Sequence, residues 1–281
     1  MTRSAPRLPA LLVLAVTATW PASAAASAPP APRPSQVTIS GSETTGALVA
    51  DLIHFYRAEL RRRGDPVPRF SLTFPGTAAG ISDVFTRVTE IGLAARDRIA
   101  DDPRILRFTP IAISGVCVVT NRANPVSDLS SAQIRQIAAG TLALWSAVRG
   151  ATRADALDVW RFPPREGAQL VFERTFLGAT DDFTAPARQV PTSSLMRREL
   201  AARANAFGFL DVAYTAGLNV VRVDGIACDR NTVRTRVYPA RRRLNLVTRG
   251  RSSPAAMRFI AWVRSSATAR RVIATRYVPA S

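Results

Sequence analysis

The chain has no lysine, a single histidine and only two cysteines among its 281 residues. One histidine and two cysteines are too few for a zinc centre or a Ser-His-Asp triad unless His54 takes part. There is also no G-x-S-x-G turn of the kind that exposes a nucleophilic serine. We therefore expect no metal, no cofactor and no enzyme activity.

The missing lysines also bear on the charge of the protein. All 38 basic residues are arginines, against 20 acidic residues, and the formal net charge is +18. Such an excess usually suggests a nucleic-acid partner, but an all-arginine, alanine-rich chain fits a compositional bias of the encoding genome equally well. The arginine clusters at 61–63 and 241–243 lack the interleaved aromatic residues on which bases stack. We expect no nucleic acid and retain only a general attraction for small anions.

No apolar run reaches the roughly 20 residues needed to span a bilayer. The first residues combine Arg3 and Arg7 with an apolar stretch from about residue 8 to residue 20 and small residues at 22–24, which is typical of a cleaved signal peptide. We predict a signal peptide over residues 1–24, a flexible leader over 25–35 and export to the periplasm. In that compartment Cys117 and Cys228 either pair, or Cys117 stays a buried thiol.

Short runs of strand-forming residues alternate with helical patterns along the chain, which predicts an α/β protein with largely parallel sheets. Strands are expected at residues 36–40, 69–74 and 91–96, and a long helix is expected to end at Gly64. Residues 107–121 form an extended run longer than an ordinary strand, which we expect to cross between lobes. A later helix is expected to be capped by Ser127 or Asp128 and to stop at Gly140.

Two turns of small residues each end a strand and begin a helix. Such a turn leaves backbone N–H groups unpaired in front of the positive end of the helix dipole and so forms a seat for an oxyanion. Ser42, Glu43 and Thr44 would supply hydroxyl and N–H donors at the first turn, and Thr77 and Ala78 at the second. The alternative is that these hydroxyls are ordinary helix N-caps.

Two charged residues follow the third predicted strand. Arg96 could bind an oxyanion through two parallel hydrogen bonds of its guanidinium; the alternative is a surface ion pair with Asp97 or Asp101. Asp97 in an anion pocket can only accept a hydrogen bond, so it would select a protonated oxyanion over sulfate.

Six stretches, in this order, resemble the phosphate-binding proteins that feed ABC transporters, within the type II periplasmic binding proteins: TISGSETTGAL, GTAAGI, EIGLAARD, VVTNRANPVSDLSSAQIRQIAAGTLALWSAVRG, FGFLDVAY and VYPARRRLNLV. The resemblance runs from about residue 37 to the end of the chain. It implies two lobes, each a mostly parallel sheet flanked by helices, joined by two crossover segments. One lobe would comprise residues 36–114 and 235–281, and the other residues 115–234.

The far lobe departs from that family at the helix start expected to complete the ligand shell. The family has an arginine followed by Ser-Gly-Thr; this chain keeps Arg161, adds Arg165 and has Glu166-Gly167-Ala168 in place of Ser-Gly-Thr. Glu43 likewise replaces a hydroxyl residue of the first turn. A carboxylate about 4 Å from a bound anion would cost roughly 4 kcal/mol, unless these glutamates turn away or pair with the two arginines.

The resemblance implies an exported, monomeric solute-binding protein that binds phosphate or a related oxyanion in the interlobe cleft and delivers it to a membrane ABC permease. The two glutamates keep an alternative open. In that alternative the chain is a divergent member of the family that binds another ligand, or acts in extracellular interactions without transporting phosphate.

Overall fold

The computed structural model describes residue 2 and residues 35–148, 151, 154–178, 183–250 and 252–280. The predicted signal peptide and leader lie outside these ranges, apart from residues 2 and 35. None of the helices within the ranges is long and apolar enough to cross a membrane. The residues from 35 onward belong to a single unit.

The first strand–helix units follow the sequence pattern. Strand β1 (Gln36–Gly41) leads into helix α1 (Glu43–Arg63), which ends at Gly64 in the left-handed conformation, φ 71°. Strand β2 (Arg69–Thr73), helix α2 (Thr77–Phe85) and strand β3 (Ile91–Ala94) follow. Both β2 and β3 pair with β1 in parallel, so the starts of α1 and α2 lie at the same edge of the sheet.

The long extended run forms strand β4 (Leu106–Thr120), which joins the two halves of the sheet. Its first part pairs with β11 (Arg241–Arg249) and β12 (Val278–Pro279), and its second part pairs with β8 (Ala206–Asp211) and β9 (Asn219–Val220). The strand order is β2-β1-β3-β11-β4-β8-β6-β7, where β6 is Asp158–Arg161 and β7 is Ala187–Gln189. All pairings of β4 are antiparallel, whereas β6 pairs with β7 and β8 in parallel.

The remaining elements flank this sheet. They are β5 (Asp128–Leu129), α3 (Ser131–Ala138), β6 (Asp158–Arg161), α4 (Gly167–Phe172), β7 (Ala187–Gln189), α5 (Ser193–Ala202), β10 (Arg222–Val223), α6 (Arg230–Arg234), α7 (Pro254–Ser265) and α8 (Ala267–Ala274). Helix α4 continues as a π-helical turn over Glu173–Leu177.

The cap predicted for α3 was wrong. Asp128 lies in β5, and the cap is Ser130, whose hydroxyl accepts a hydrogen bond from the backbone N–H of Gln133 at 3.1 Å. The Gln133 side chain bonds back to the backbone of Ser130 at 2.9 Å, which completes a capping box. The short strand β5 thus includes Asp128, one of the two residues predicted as the cap, and the helix begins after it.

The two largest apolar cores among the described residues define the two lobes, and a smaller third cluster lies around Val84 and Val247. Lobe 1 packs α1 and α7 on β1 and β3, around Ile39, Leu52 and Phe259. Lobe 2 packs α4 and α5 on β8 and the second part of β4, around Phe172 and Phe209, whose rings stack with centroids 4.1 Å apart. The open question about the cysteines is settled by a disulfide between Cys117 and Cys228 within the core of lobe 2.

Candidate functional site

Four helices begin around one small cavity between the lobes. Helices α1 and α2 start on the lobe 1 side, and α4 and α5 start on the lobe 2 side. The cavity measures about 10 Å³, which is room for about one water molecule. The first N–H groups of a helix have no partner within that helix, so the positive ends of four helix dipoles meet at this point.

The start of α1 reaches across to the start of α5. Ser42 is the N-cap residue of α1, but within the described chain its hydroxyl makes no cap hydrogen bond to that helix. The hydroxyl oxygens of Thr44 and Ser193 lie 3.3 Å apart. The Glu43 carboxylate accepts hydrogen bonds from the backbone N–H of Ser194 at 3.2 Å and from its hydroxyl at 2.5 Å. Because the Ser42 hydroxyl makes no cap hydrogen bond among the described residues, it is not the ordinary N-cap considered as its alternative role.

The start of α2 binds a carboxylate from the other lobe. The backbone N–H of Thr77 donates to Oε2 of Glu166 at 2.9 Å, and the Thr77 hydroxyl donates to Oε1 at 3.0 Å. The N-cap residue of α2 is Gly76, with φ 105°, and a side chain there would collide with Oε2 of Glu166. Ala78 follows Thr77 on the same turn and is exposed.

Helix α4 docks directly on the end of β3. Gly167 is the first residue of α4, and a Cβ atom there would lie only 2.4 Å from the carbonyl oxygen of Ala95. Glycine is therefore required at this close approach of two backbones. The contact shows that the two lobes touch at the cleft.

Arg242 also lines the cavity, and sequence reasoning did not identify it. Its side chain is 1% exposed and forms an ion pair with Asp211 at 2.8 Å. It also donates to the carbonyl oxygen of Ala95 at 3.1 Å, while Ser114 donates to the same Asp211 oxygen at 2.6 Å. Its Nε has no hydrogen-bond partner among the described residues.

The sequence does carry a signal for Arg242. It is the middle residue of the arginine cluster at 241–243, which we considered from the sequence only as a possible contact for nucleic acid. The cluster opens strand β11, where alternate residues face opposite sides of the sheet. Arg242 is buried while Arg243 is exposed, because neighbouring residues of the strand point to opposite faces of the sheet.

Arg96 and Asp97 lie away from the residues that line the cavity. Arg96 is buried and makes two hydrogen bonds to the carboxylate of Asp102, at 2.6 and 2.8 Å, so its ion-pair partner is neither of the aspartates considered from the sequence; to Asp97 it donates only at the backbone carbonyl, at 3.0 Å. Burial alone would raise the pKa of Asp102, but hydrogen bonds from Arg96 and from the backbone of Ile99 outweigh it and lower that pKa. Asp97 contacts Arg243 at 3.2 Å.

Arg161 and Arg165 are also placed outside the cavity. The guanidinium of Arg161 lies 5.4 Å from the ring centre of Phe183, in a cation–π contact. Arg165 forms an exposed ion pair with Asp101 at 2.8 Å. Neither arginine therefore neutralises Glu166, which bonds to Thr77 instead.

Of the residues predicted from the sequence, the structure brings five together around the cavity or directly against it: Ser42, Glu43, Thr44, Thr77 and Glu166. Gly167 packs beside them. Within the described ranges there is no group of three or more His, Cys, Asp or Glu side chains that could hold a metal ion.

Comparison with known proteins identifies the family. A sequence model described as the PBP superfamily domain matches residues 26–267. The chain belongs to the PBP superfamily. The phosphate-binding protein PstS of Bacillus subtilis is 22% identical over 251 residues, covering 86% of this chain and 80% of that protein. Phosphate-binding protein PstS 2 of Streptococcus pneumoniae is 26% identical over 114 residues, and that match spans only 38% of the relative's length.

Solved structures of superfamily members share the architecture. A structure from Clostridium perfringens with bound phosphate has a TM-score of 0.81 and 22% identity, covering 88% of this chain and 100% of that one. An ABC-type phosphate transport receptor from Vibrio cholerae has a TM-score of 0.68 and 21% identity, covering 86% and 99%. The predicted two-lobed type II fold is confirmed.

Proposed function

We propose that the chain is an exported solute-binding protein that binds phosphate or a related oxyanion between its lobes and delivers it to a membrane ABC permease. In this proposal it is periplasmic, works as a monomer and has no catalytic role. The lobes that close on the ligand are residues 36–114 with 235–281, and residues 115–234. Phosphate binding by the relatives named above and the phosphate in the C. perfringens structure support this class of ligand.

One observation carries the proposal. Thr77 already binds two oxygens of a carboxylate, one through its backbone N–H and one through its hydroxyl. A carboxylate presents the same kind of acceptor as a phosphate oxygen, and such charge-assisted bonds are about twice as strong as neutral ones. These two bonds support the prediction that the start of α2 can receive the oxygens of an oxyanion.

The connection of the lobes supports a hinged binding cleft. Strands β4 and β11 run side by side between the lobes, with Arg241 opposite Gly115 in their antiparallel ladder. The cavity is too small for a tetrahedral anion, so a ligand requires the lobes to separate. Hinge motion about a few strand residues is the usual way in which two-lobed binding proteins admit and enclose a solute.

Isothermal titration of the purified protein with phosphate, arsenate and sulfate tests the proposal. Binding of phosphate is expected. Added to Glu166→Ala, which removes the carboxylate from the seat, Thr77→Val should weaken binding by about 10-fold or more, since it removes a hydroxyl donor from the seat. Thr86→Val is the matched control, because Thr86 bonds to Ser82 at the other end of α2. Equal affinity in Glu166→Ala with and without Thr77→Val would contradict the proposed seat.

The occupied seat favours a second candidate. In a divergent family member that binds another ligand, or acts in extracellular interactions, Glu166 would permanently replace the anion of its relatives. Absence of binding heat for all three oxyanions, from a protein shown to be folded by its circular dichroism, would favour this candidate.

A further inference from the structure

The proposed oxyanion seat at the start of α2 is occupied by Glu166, which lies at the N-cap of a different helix, α4. Glu166 is the N-cap residue of α4, and a side chain at that position usually bonds to N–H groups of the helix it begins. Here both carboxylate oxygens bond instead to Thr77, 89 residues away on the other lobe. The carboxylate thus takes the position that an oxygen pair of a ligand would take.

A second carboxylate repeats the arrangement in the opposite direction. Glu43 begins α1 on lobe 1, and its two oxygens bond to the backbone and hydroxyl of Ser194 on the first turn of α5. Each lobe therefore offers one carboxylate to a helix start of the other lobe. These paired contacts join the two lobes across the cleft.

Arg242, which lines the cavity, carries a buried donor without an acceptor in the described part of the chain. The guanidinium of Arg242 is buried beside the cavity, and its Nε lacks an acceptor in the part of the chain that the structure describes. An unpaired buried donor is unfavourable, and an anion in the cleft is the kind of group that would satisfy it. If the Glu166 carboxylate leaves Thr77, the cleft still holds positive groups to receive a ligand.

From these contacts we infer that Glu166 is an internal competitor of the ligand. Its carboxylate holds the cleft closed when no ligand is present, and it must leave Thr77 before an oxyanion binds there. The identity of the ligand rests on the proposed function. Two anions cannot share the seat, because like charges at about 4 Å repel strongly in a protein environment, so the strength of the Glu166 contact sets the affinity for the ligand.

The sign of a mutational effect separates this role from a purely structural one. A hydrogen bond that only joins the lobes stabilises the closed, ligand-bound form, so its removal weakens ligand binding. A competitor stabilises only the ligand-free closed form, so its removal strengthens ligand binding. Phosphate affinity in Glu166 variants therefore moves in opposite directions under the two roles.

Isothermal titration with inorganic phosphate should compare the wild type with Glu166→Ala and Glu166→Gln. We expect Glu166→Ala to lower Kd by about 10- to 100-fold. Glu166→Gln should fall between it and the wild type, since it keeps an acceptor for Thr77 but loses the charge. Glu173→Gln is the control: it removes one charge from the turn that continues α4, where Glu173 bonds to Gln169, and should leave Kd unchanged.

Small-angle scattering of the same proteins without phosphate tests the closing contact by itself. Glu166→Ala should have a larger radius of gyration than the wild type, and Glu173→Gln should not. An unchanged radius in Glu166→Ala would overturn the inference that this carboxylate holds the cleft closed.

The outcomes distinguish the inference from the function on which it rests. If the wild type binds phosphate but Glu166→Ala binds it equally or more weakly, the competitor role is overturned and the proposed function stands. If no variant binds phosphate, the proposed function and the competitor role both fail, and scattering still decides whether Glu166 closes the cleft.

Discussion

Replacing Gly167 by alanine should shift the protein toward the open form without unfolding either lobe. In the closed structure the added Cβ would lie 2.4 Å from the carbonyl oxygen of Ala95, whereas ordinary contacts begin at 3.4 Å. The two lobes must therefore separate locally by about 1 Å, and the atom that must give way is a backbone oxygen rather than the end of a flexible side chain.

The size of the effect follows from this overlap. Forcing one extra methyl group into a packed contact costs about 1–3 kcal/mol. Because the clash exists only when the lobes meet, the whole cost falls on the closed form and shifts the closure equilibrium by about 5- to 150-fold. The stability of lobe 2 should not fall, since alanine favours a helix more than glycine does.

Two measurements check this prediction. The radius of gyration of the ligand-free variant should exceed that of the wild type. Its Kd for phosphate should rise by less than the full shift of the closure equilibrium, because the ligand-free variant escapes the clash by opening, whereas the closed, ligand-bound variant keeps it. Gly217→Ala is the control, because Gly217 has φ 84° and open space around it: its backbone strain lowers stability but leaves the cleft untouched.

A comparison with the Glu166 variant sharpens the test. Both Gly167→Ala and Glu166→Ala should open the ligand-free cleft, but the first weakens phosphate binding and the second strengthens it. The reasoning would be refuted if Gly167→Ala bound phosphate with wild-type affinity and showed an unchanged radius of gyration.

Three further predictions concern the groups that support the cleft. The disulfide between Cys117 and Cys228 closes a loop of 111 residues, so replacing both cysteines by alanine should lower the free energy of unfolding by about 5 kcal/mol, measured in guanidinium; a loss below about 1 kcal/mol would contradict this. Arg242→Ala leaves the buried carboxylate of Asp211 unpaired and should cost about 3–5 kcal/mol, and the double variant Arg242→Ala/Asp211→Ala should recover part of that loss; no recovery would show that the two do not act as a pair. The lowered pKa of Asp102 contributes stability at neutral pH that is lost as the pH falls through that pKa, below the usual range of a carboxyl group, so Asp102→Asn should be less stable than the wild type at neutral pH and converge with it in acid; a stability difference independent of pH would contradict the assignment.

The fold could be predicted to a large extent because its signals are local. The apolar residues of α1 recur at helical spacing, and the glycine that ends the helix follows them directly. The small residues at the starts of α1 and α2 are also adjacent in the sequence. The length of the run that became β4 was enough to indicate a crossing strand. The cap of α3 was missed because a two-residue strand, which includes Asp128, precedes the helix and moves its start to Ser131.

The site was harder to predict because its contacts are not local. The partners of Glu166, Glu43 and Arg242 lie 89, 151 and 31 residues away along the chain, and no spacing rule reaches that far. The sequence showed that carboxylates stand near the predicted anion seats. Only the packing of one lobe on the other shows that a carboxylate occupies the seat of α2.

The most direct test of the account is a crystal structure of the protein grown with saturating phosphate. It should show a phosphate oxygen accepting the hydrogen bonds of the Thr77 backbone and hydroxyl, with the Glu166 carboxylate withdrawn from both. A structure in which Glu166 remains bonded to Thr77, while phosphate binds elsewhere or not at all, would contradict it.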